Sequence, residues 1–441
     1  MEQYDANSPC TGRLAAHIMR MLVVIGIGLA GVALMACAGL APAPPAPRPA
    51  PAAPPASAVP GAEDHPLVVS GALTGEGQRK RDAGLHLVAR DRNTEAFDEW
   101  LPLALAGHAE SQYQIGMMTR QGLGAPVDHA AALDWLRLAA GGGFPPALTE
   151  LGLCYQAGAC GVVRDASEAL RLFLRGASLD EPRSALHAGA MLAYGVAGGG
   201  KTQDGIASGA GSDINPGTGS GLESGLESDI NPAIEQDSAR GIDLLMQAAQ
   251  AETPLAAAQS LLGRLYLGVA GIPVDYVQAL YWFDLAAAAD DSEAQFQIGE
   301  MWRRGRGVAG NPRRALEWYQ RAAQQSHAGA LNSIGLLYAQ GAGVARDRQL
   351  ARLHFEKAIA RGSMDAALNL GDLLLAAGPG LRERDKAAAL YRMAALANDA
   401  RAFCPYARLL LTSAVDTDAM AEAQRWQDKA RQVGIACLAP G

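Results

Sequence analysis

The 441-residue chain has few aromatic residues, 5%, and only 19% Asp, Glu, Lys and Arg. Its 37 basic side chains are outnumbered by 45 acidic ones, for a net charge of −8. Recognition of a phosphate backbone needs a basic footprint, so nucleic acid is excluded as an expected partner. Histidine is sparse as well. The eight are scattered, none shares a helix face with another histidine or a cysteine at metal-ligand spacing, and no H-E-x-x-H or paired C-x-x-C occurs. There is no G-x-S-x-G nucleophile elbow. No metal, no cofactor and no catalytic residue are therefore expected, and the chain does not read as an enzyme. Alanine, leucine and glycine dominate instead, a composition suited to close-packed helices.

One stretch imitates a nucleotide site. "GVAGGGKT" satisfies the spelling of a phosphate-binding loop with Gly195, Gly200, Lys201 and Thr202. Such a loop works between a buried strand and a helix whose N-terminus faces the phosphates. Upstream, "SALHAGAMLAY" lacks the β-branched run of a buried strand, and downstream "QDGIASGAGSDINPGTGSGLES" is too rich in Gly, Ser and Pro to begin a helix. Lys201 and Thr202 thus read as a chance match, and no nucleotide is expected.

The N-terminus reads as targeting rather than fold. Arg13 and Arg20 precede the apolar run "MLVVIGIGLAGVALMA", Met21 to Ala36, and Met19 or Met21 is a second candidate start. "LMAC", Leu34 to Cys37, resembles the lipobox of bacterial lipoproteins, which implies cleavage of residues 1–36 and a lipid on Cys37. Ala38 is not the aspartate that tends to retain such proteins in the inner membrane, so the resemblance implies an outer-membrane anchor facing the periplasm. An uncleaved anchor or a secreted protein are the alternatives, and all three place the body outside the cytoplasm. Residues 37–68 then form a Pro/Ala-rich, extended and disordered tether.

From Ser111 the sequence repeats. A glycine after a large aliphatic or small residue recurs at Gly116, Gly152, Gly189, Gly263, Gly299, Gly335 and Gly371, in steps of 36, 37, 74, 36, 36 and 36. A period in this range marks stacked helical pairs. In each unit a helix ends at glycines, and a second begins at an N-cap slot held by Asp128, Asp165, Asp275, Asn311 or Asp347. Large residues recur in the second helix as Trp135, Phe173, Trp282 with Phe283, Trp318 with Tyr319, Phe355 and Tyr391, all expected in the core. "IGEMWRRGRGVAGNPRRALEWYQRAA" and "IGLLYAQGAGVARDRQLARLHFEKA" resemble the Sel-1-like repeat, a longer-looped relative of the tetratricopeptide repeat. The resemblance implies an all-α, right-handed superhelical solenoid with a concave binding surface and a role in holding proteins together. Residues 76–110 read as a tetratricopeptide-like cap, 111–400 as the array and 401–436 as a degenerate closing hairpin. Between Gly189 and Gly263 the second helix keeps its place from Asp237. The loop before it has swollen over 198–236, with "SDINP" and "GLES" each present twice, and reads as a disordered insertion.

Two groups of side chains stand out. Setting aside Cys10 and Cys37, four cysteines remain for an oxidising compartment. Cys154 and Cys160 lie roughly 9 Å apart if on one helix, so a bridge needs the chain to turn back at Gly158. Cys404 and Cys437 form the second candidate pair, against free buried thiols. "WRRGRG" with the following arginines makes one basic cluster, Trp302, Arg303, Arg304, Arg306, Arg313 and Arg314, a candidate for a carboxylate-rich partner or an anionic polysaccharide, against a solvated loop edge. The expected function is a non-catalytic scaffold on the bacterial envelope, holding envelope proteins or secretion and polysaccharide-export components together. The alternative, from cysteine-rich secreted members of the family, is a β-lactam- or peptidoglycan-directed hydrolase or binding protein.

Overall fold

The computed structural model describes residues 68–69, 72–195, 237–376, 380–413 and 417–437. The signal segment, Cys37, most of the tether, Lys201, Thr202 and the 198–236 insertion lie outside the described residues. A short antiparallel ribbon comes first, β1 (Val68–Val69) and β2 (Ala72–Leu73), with Val68 paired to Leu73. This corrects the end of the tether, because Val68 belongs to the ribbon. Helices follow in hairpins, each with a first helix A and a second helix B. The leading pair is α1 (Gly75–Val88) with α2 (Asn93–Leu105). Next come α3 (Ala109–Gln121) with α4 (His129–Gly141), α5 (Pro145–Ala157) with α6 (Ala166–Ala177), and α7 (Pro182–Tyr194) with α8 (Ser238–Ala249). Then stand α9 (Ala256–Leu265) with α10 (Tyr276–Ala288), α11 (Ser292–Arg304) with α12 (Pro312–Gln324), and α13 (Ala328–Gln340) with α14 (Arg348–Ala360). The last pairs are α15 (Met364–Leu375) with α16 (Leu381–Leu396), and α17 (Ala400–Ser413) with α18 (Thr417–Gln432). Each hairpin packs on the next, which makes an α-solenoid.

Two devices shape the six hairpins from α3–α4 to α13–α14. The first is close approach of A and B at the repeated glycine. A Cβ at Gly152 would meet the Phe173 ring at 2.4 Å, and one at Gly299 would meet Tyr319 at 2.5 Å, so only glycine lets those rings sit in the core. The second is the cap. Asp128, Asp165, Asp237, Asp275, Asn311 and Asp347 each accept from backbone N–H groups of the B helix they precede. Their own N–H groups donate back to the A helix, to the carbonyls of Thr119, Tyr155, Leu192, Tyr266, Trp302 and Tyr338. Each acceptor lies three residues past its repeat glycine. Asp237 makes this bond at 3.0 Å although 41 residues, 196–236, separate it from Gly195. The α7–α8 hairpin is thus closed as its neighbours are.

The B-helix aromatics fill the core as expected at Trp135, Phe173, Trp282, Phe283, Tyr319, Phe355 and Tyr391, all nearly or fully buried. Trp318 differs. It is half-buried at the edge of the core, with the Arg321 guanidinium over its ring at 4.4 Å, while Tyr319 fills the deep slot of that hairpin.

Candidate partner-binding faces

The A helices of successive hairpins approach one another directly, α5 on α7, α7 on α9, α9 on α11 and α13 on α15, so they line the tighter, inner side of the solenoid. Polar side chains link them along that wall. Glu150 on α5, 4% exposed, accepts from Arg120 on α3 at 3.0 Å and from Arg183 on α7 at 3.1 Å. One buried carboxylate therefore joins three consecutive repeats, a stapled arrangement in which each charge has partners. Thr149 and Ser184 share a hydrogen bond at 2.7 Å, His327 meets Glu293 at 3.1 Å, and Arg401 pairs with Asp365 and Asp399. Asn369 donates its Nδ2 to Asn332 Oδ1 at 2.8 Å. His187 lies on the same wall, stacked on Phe173 at 5.0 Å. Burial, with Arg183 nearby, pushes its imidazole down to about 4, so the ring is neutral at pH 7.

The residue just after the repeat glycine faces the B helix at Glu300 and Asp372, which bond to it, and at Met117, Leu153, Ala190 and Leu336, which share its core cluster. It is Met117, Leu153, Ala190, Arg264 or Leu336 where the B residue against that glycine is Leu136, Phe173, Leu245, Phe283 or Phe355. It is Glu300 or Asp372 where that residue is Tyr319 or Tyr391. Tyr319 donates to Glu300 at 2.5 Å and Tyr391 donates to Asp372 at 2.6 Å. Tyrosine thus stands at this slot only where a carboxylate can take its proton-bearing oxygen, as burial of a hydroxyl requires.

Glu300 also organises the basic cluster. It accepts from Arg303 at 3.0 and 2.6 Å and from Arg304 at 2.8 Å. Burial works against its charge, but the hydrogen bonds from Arg303 and Tyr319 and the two guanidinium charges outweigh it and hold the carboxyl below its ordinary range. Arg314 lies over the Trp302 ring at 4.6 Å. The structure therefore brings Trp302, Arg303, Arg304 and Arg314 into contact with partners of their own, while Arg306 and Arg313 have no carboxylate partner among the described residues.

The Sel1 repeat family model matches residues 109–144, 145–181, 256–291, 292–327, 328–363 and 365–399, each match covering one A and one B helix. The chain is a Sel1 repeat protein. Similar solved structures include a protective antigen of uropathogenic Escherichia coli displaying an SLR fold, 25% identical with a TM-score of 0.55, over 77% of this chain and 64% of that one. Another is a Sel1 repeat protein from Oxalobacter formigenes, 25% identical with a TM-score of 0.51, over 74% of this chain and 85% of that one. The chain thus spans just under two thirds of the first structure's length. No curated protein matches it.

Among the described residues four cysteines come together in two pairs, one inside the Sel1 array and one in the closing hairpin. Cys154 is bonded to Cys160, with Cα atoms 5.7 Å apart, because the A helix ends at Gly158 in the left-handed conformation and turns the chain back. Cys404 is bonded to Cys437 with Cα atoms 5.2 Å apart, which ties the residues after α18 to α17. Among the described residues no three His, Cys, Asp or Glu side chains converge as metal ligands would, and no helix is long and apolar enough to cross a membrane. The sequence reading missed the Arg120–Glu150–Arg183 staple and the Tyr319–Glu300 and Tyr391–Asp372 pairs. A register count from each repeat glycine, comparing the same slot across repeats, carries the signal for the tyrosine pairs. Solenoids of stacked repeats present extended concave surfaces suited to binding.

Proposed function

We propose that this Sel1 repeat protein is a non-catalytic scaffold, anchored through a lipid on Cys37 to the bacterial outer membrane and facing the periplasm, whose inner wall holds segments of envelope proteins. The anchor reading is supported by "LMAC" at the end of an apolar run and by the proline-rich stretch that follows it. The observation that carries the binding reading is the Asn332–Asn369 pair. Their mutual bond uses one amide N–H of Asn369 and the oxygen of Asn332, which leaves the Asn332 amino group and the Asn369 carbonyl to meet a peptide group's C=O and N–H. Two such complementary groups on a half-buried wall suit an extended or helical segment of another chain.

The test is a crosslinking pull-down from detergent-solubilised envelopes with wild type, Cys37→Ser and Asn332→Ala/Asn369→Ala. Specific envelope proteins are expected with wild type, reduced several-fold with the asparagine double variant, and Cys37→Ser is expected to leave the membrane fraction. Enrichment indifferent to the asparagines would sink the inner-wall reading, and a Cys37→Ser protein that stays membrane-bound would sink the lipid anchor.

A further inference from the structure

The turns between A and B helices form a second surface. The turns after α11 and α13 are seated on the start of the preceding B helix. A Cβ at Gly307 would lie 2.7 Å from Tyr276, the first residue of α10, and one at Gly343 would lie 2.7 Å from the Arg313 nitrogen at the start of α12. Both glycines have left-handed backbones, φ 71° and 72°, and without side chains they let turn and helix touch. The consequence is a shared edge. The turn after α13, which carries Arg346, rests on the first turn of α12, which carries Arg313 and Arg314. The turn before α12 carries Arg306.

Charge along this edge is one-sided. From Glu300 to Arg348 the sequence has eight arginines, no lysine and three carboxylates. Two of the three are committed, Glu300 to Arg303, Arg304 and Tyr319, and Asp347 to the N–H groups of Gln349 and Leu350. Glu317 forms no ion pair among the described residues. That segment thus carries five more positive than negative charges in a chain whose net charge is −8, and the one carboxylate added by the start of α10, Asp275, is committed to the N–H groups of Val277 and Gln278. Arg314 is held over Trp302, and Arg346 is held by its Nε bond to the Ala339 carbonyl at 2.9 Å. Restraint of this kind lowers the entropy lost when a guanidinium takes a ligand. Arg303, Arg304, Arg313, Arg314 and Arg346 are all exposed.

We propose that the edge formed by Arg306, Arg313, Arg314 and Arg346 docks an Asp/Glu-rich segment of a partner protein, its carboxylates taken in bidentate fashion by the guanidinium groups. Arginine without lysine suits planar carboxylates more than a diffuse polyanion. The size of the edge points the same way. One B helix is about 20 Å long and neighbouring helices lie about 10 Å apart, room for roughly six extended residues of a partner chain. The inference deepens the scaffold reading by naming a partner chemistry, and rests on that reading only for the partner being a protein.

The test is fluorescence anisotropy with the purified full-length protein in neutral detergent and a labelled ten-residue Glu/Ser peptide, with a Gln/Ser peptide as control. Binding is expected to the acidic peptide alone, weakening at least tenfold between about 0.05 and 0.5 M salt as screening shortens the Debye length. Arg306→Gln/Arg313→Gln/Arg346→Gln is expected to lose at least tenfold in affinity, with circular dichroism confirming the fold. Arg171→Gln/Arg425→Gln, distant from the edge, is expected to bind as wild type. Glu300→Gln removes one negative charge beside the cluster and is expected to tighten binding two- to five-fold. Equal binding by the triple variant overturns the proposal, as does binding of a polyuronate oligomer with none of the acidic peptide. The peptide assay needs neither the lipid nor the inner wall, so its failure is distinguishable from failure of the pull-down.

Discussion

At the scale of the residue, the chain shows the same packing problem solved in two ways. Position by position the repeats are alternative solutions within one molecule, and the slot after the repeat glycine shows why. Leu336 over Phe355 buries hydrocarbon on hydrocarbon, whereas Glu300 over Tyr319 buries a hydroxyl that must be satisfied. Burial and the neighbouring carboxylate both raise the Tyr319 phenol, so it stays protonated and donates throughout the range in which Glu300 is ionised. Glu300→Leu strands the buried phenol and is expected to cost about 1–3 kcal/mol, while Tyr319→Phe removes one bond from a carboxylate that keeps two arginines and is expected to cost about 1 kcal/mol. The double variant copies Leu336 with Phe355. It is expected to cost less than the two singles together by about 1 kcal/mol or more in a double-mutant cycle read by urea unfolding. Strict additivity would show that the hydroxyl finds another partner.

At the scale of the element, what could be read from sequence was whatever is local. A capping Asp or Asn, a glycine at a helix end and a large residue at a fixed offset each act within one turn or one hairpin, so the caps at Asp128, Asp165, Asp275, Asn311 and Asp347 and the buried Phe173 and Phe355 were legible. Trp318 was not, because its counterpart Trp282 is buried in the cluster built with α7, α8 and α9, and periodicity alone does not say how much cover the neighbouring hairpin gives each residue. The staple on Glu150 was illegible for another reason. Its arginines come from the helices on either side, more than thirty residues from one another, and only the stacking geometry sets them on one carboxylate. The α7–α8 hairpin shows how strongly local rules hold. Asp237 caps α8 and bonds to Leu192 as its counterparts do, so the ends of segment 196–236 are fixed by the repeat and not by the segment. Replacing 196–236 with the short turn of another repeat is expected to leave the melting temperature unchanged or higher. Closing a loop several-fold shorter favours the fold by roughly 1 kcal/mol. A melting temperature lowered by more than a few degrees would show that the segment itself supports the hairpin.

At the scale of the whole molecule, a solenoid is stabilised by each repeat's own packing and by its two neighbours, so its ends are its weak points. Among the described residues the last hairpin packs on the α15–α16 hairpin alone. Its core is Phe403 and Tyr406 against Trp426, with Lys429 over the rings, and the Cys404–Cys437 bond closes it across 33 residues. A crosslink of that span removes about 3–4 kcal/mol of chain entropy from the unfolded hairpin in the loop-closure model. Cys154–Cys160 spans only 6 residues inside a repeat flanked on both sides, and Cys154 fills a core slot that Met118, Met191, Met301 and Leu337 fill elsewhere. The two bonds therefore have different reach. Hydrogen exchange on Cys404→Ser/Cys437→Ser is expected to show faster amide exchange in α16, α17 and α18 and unchanged exchange in α3 to α7, while Cys154→Met/Cys160→Ala is expected to change little anywhere. Faster exchange spread evenly along the array would mean that the hairpins unfold as one cooperative body, and that the bond at one end stabilises all of them through it.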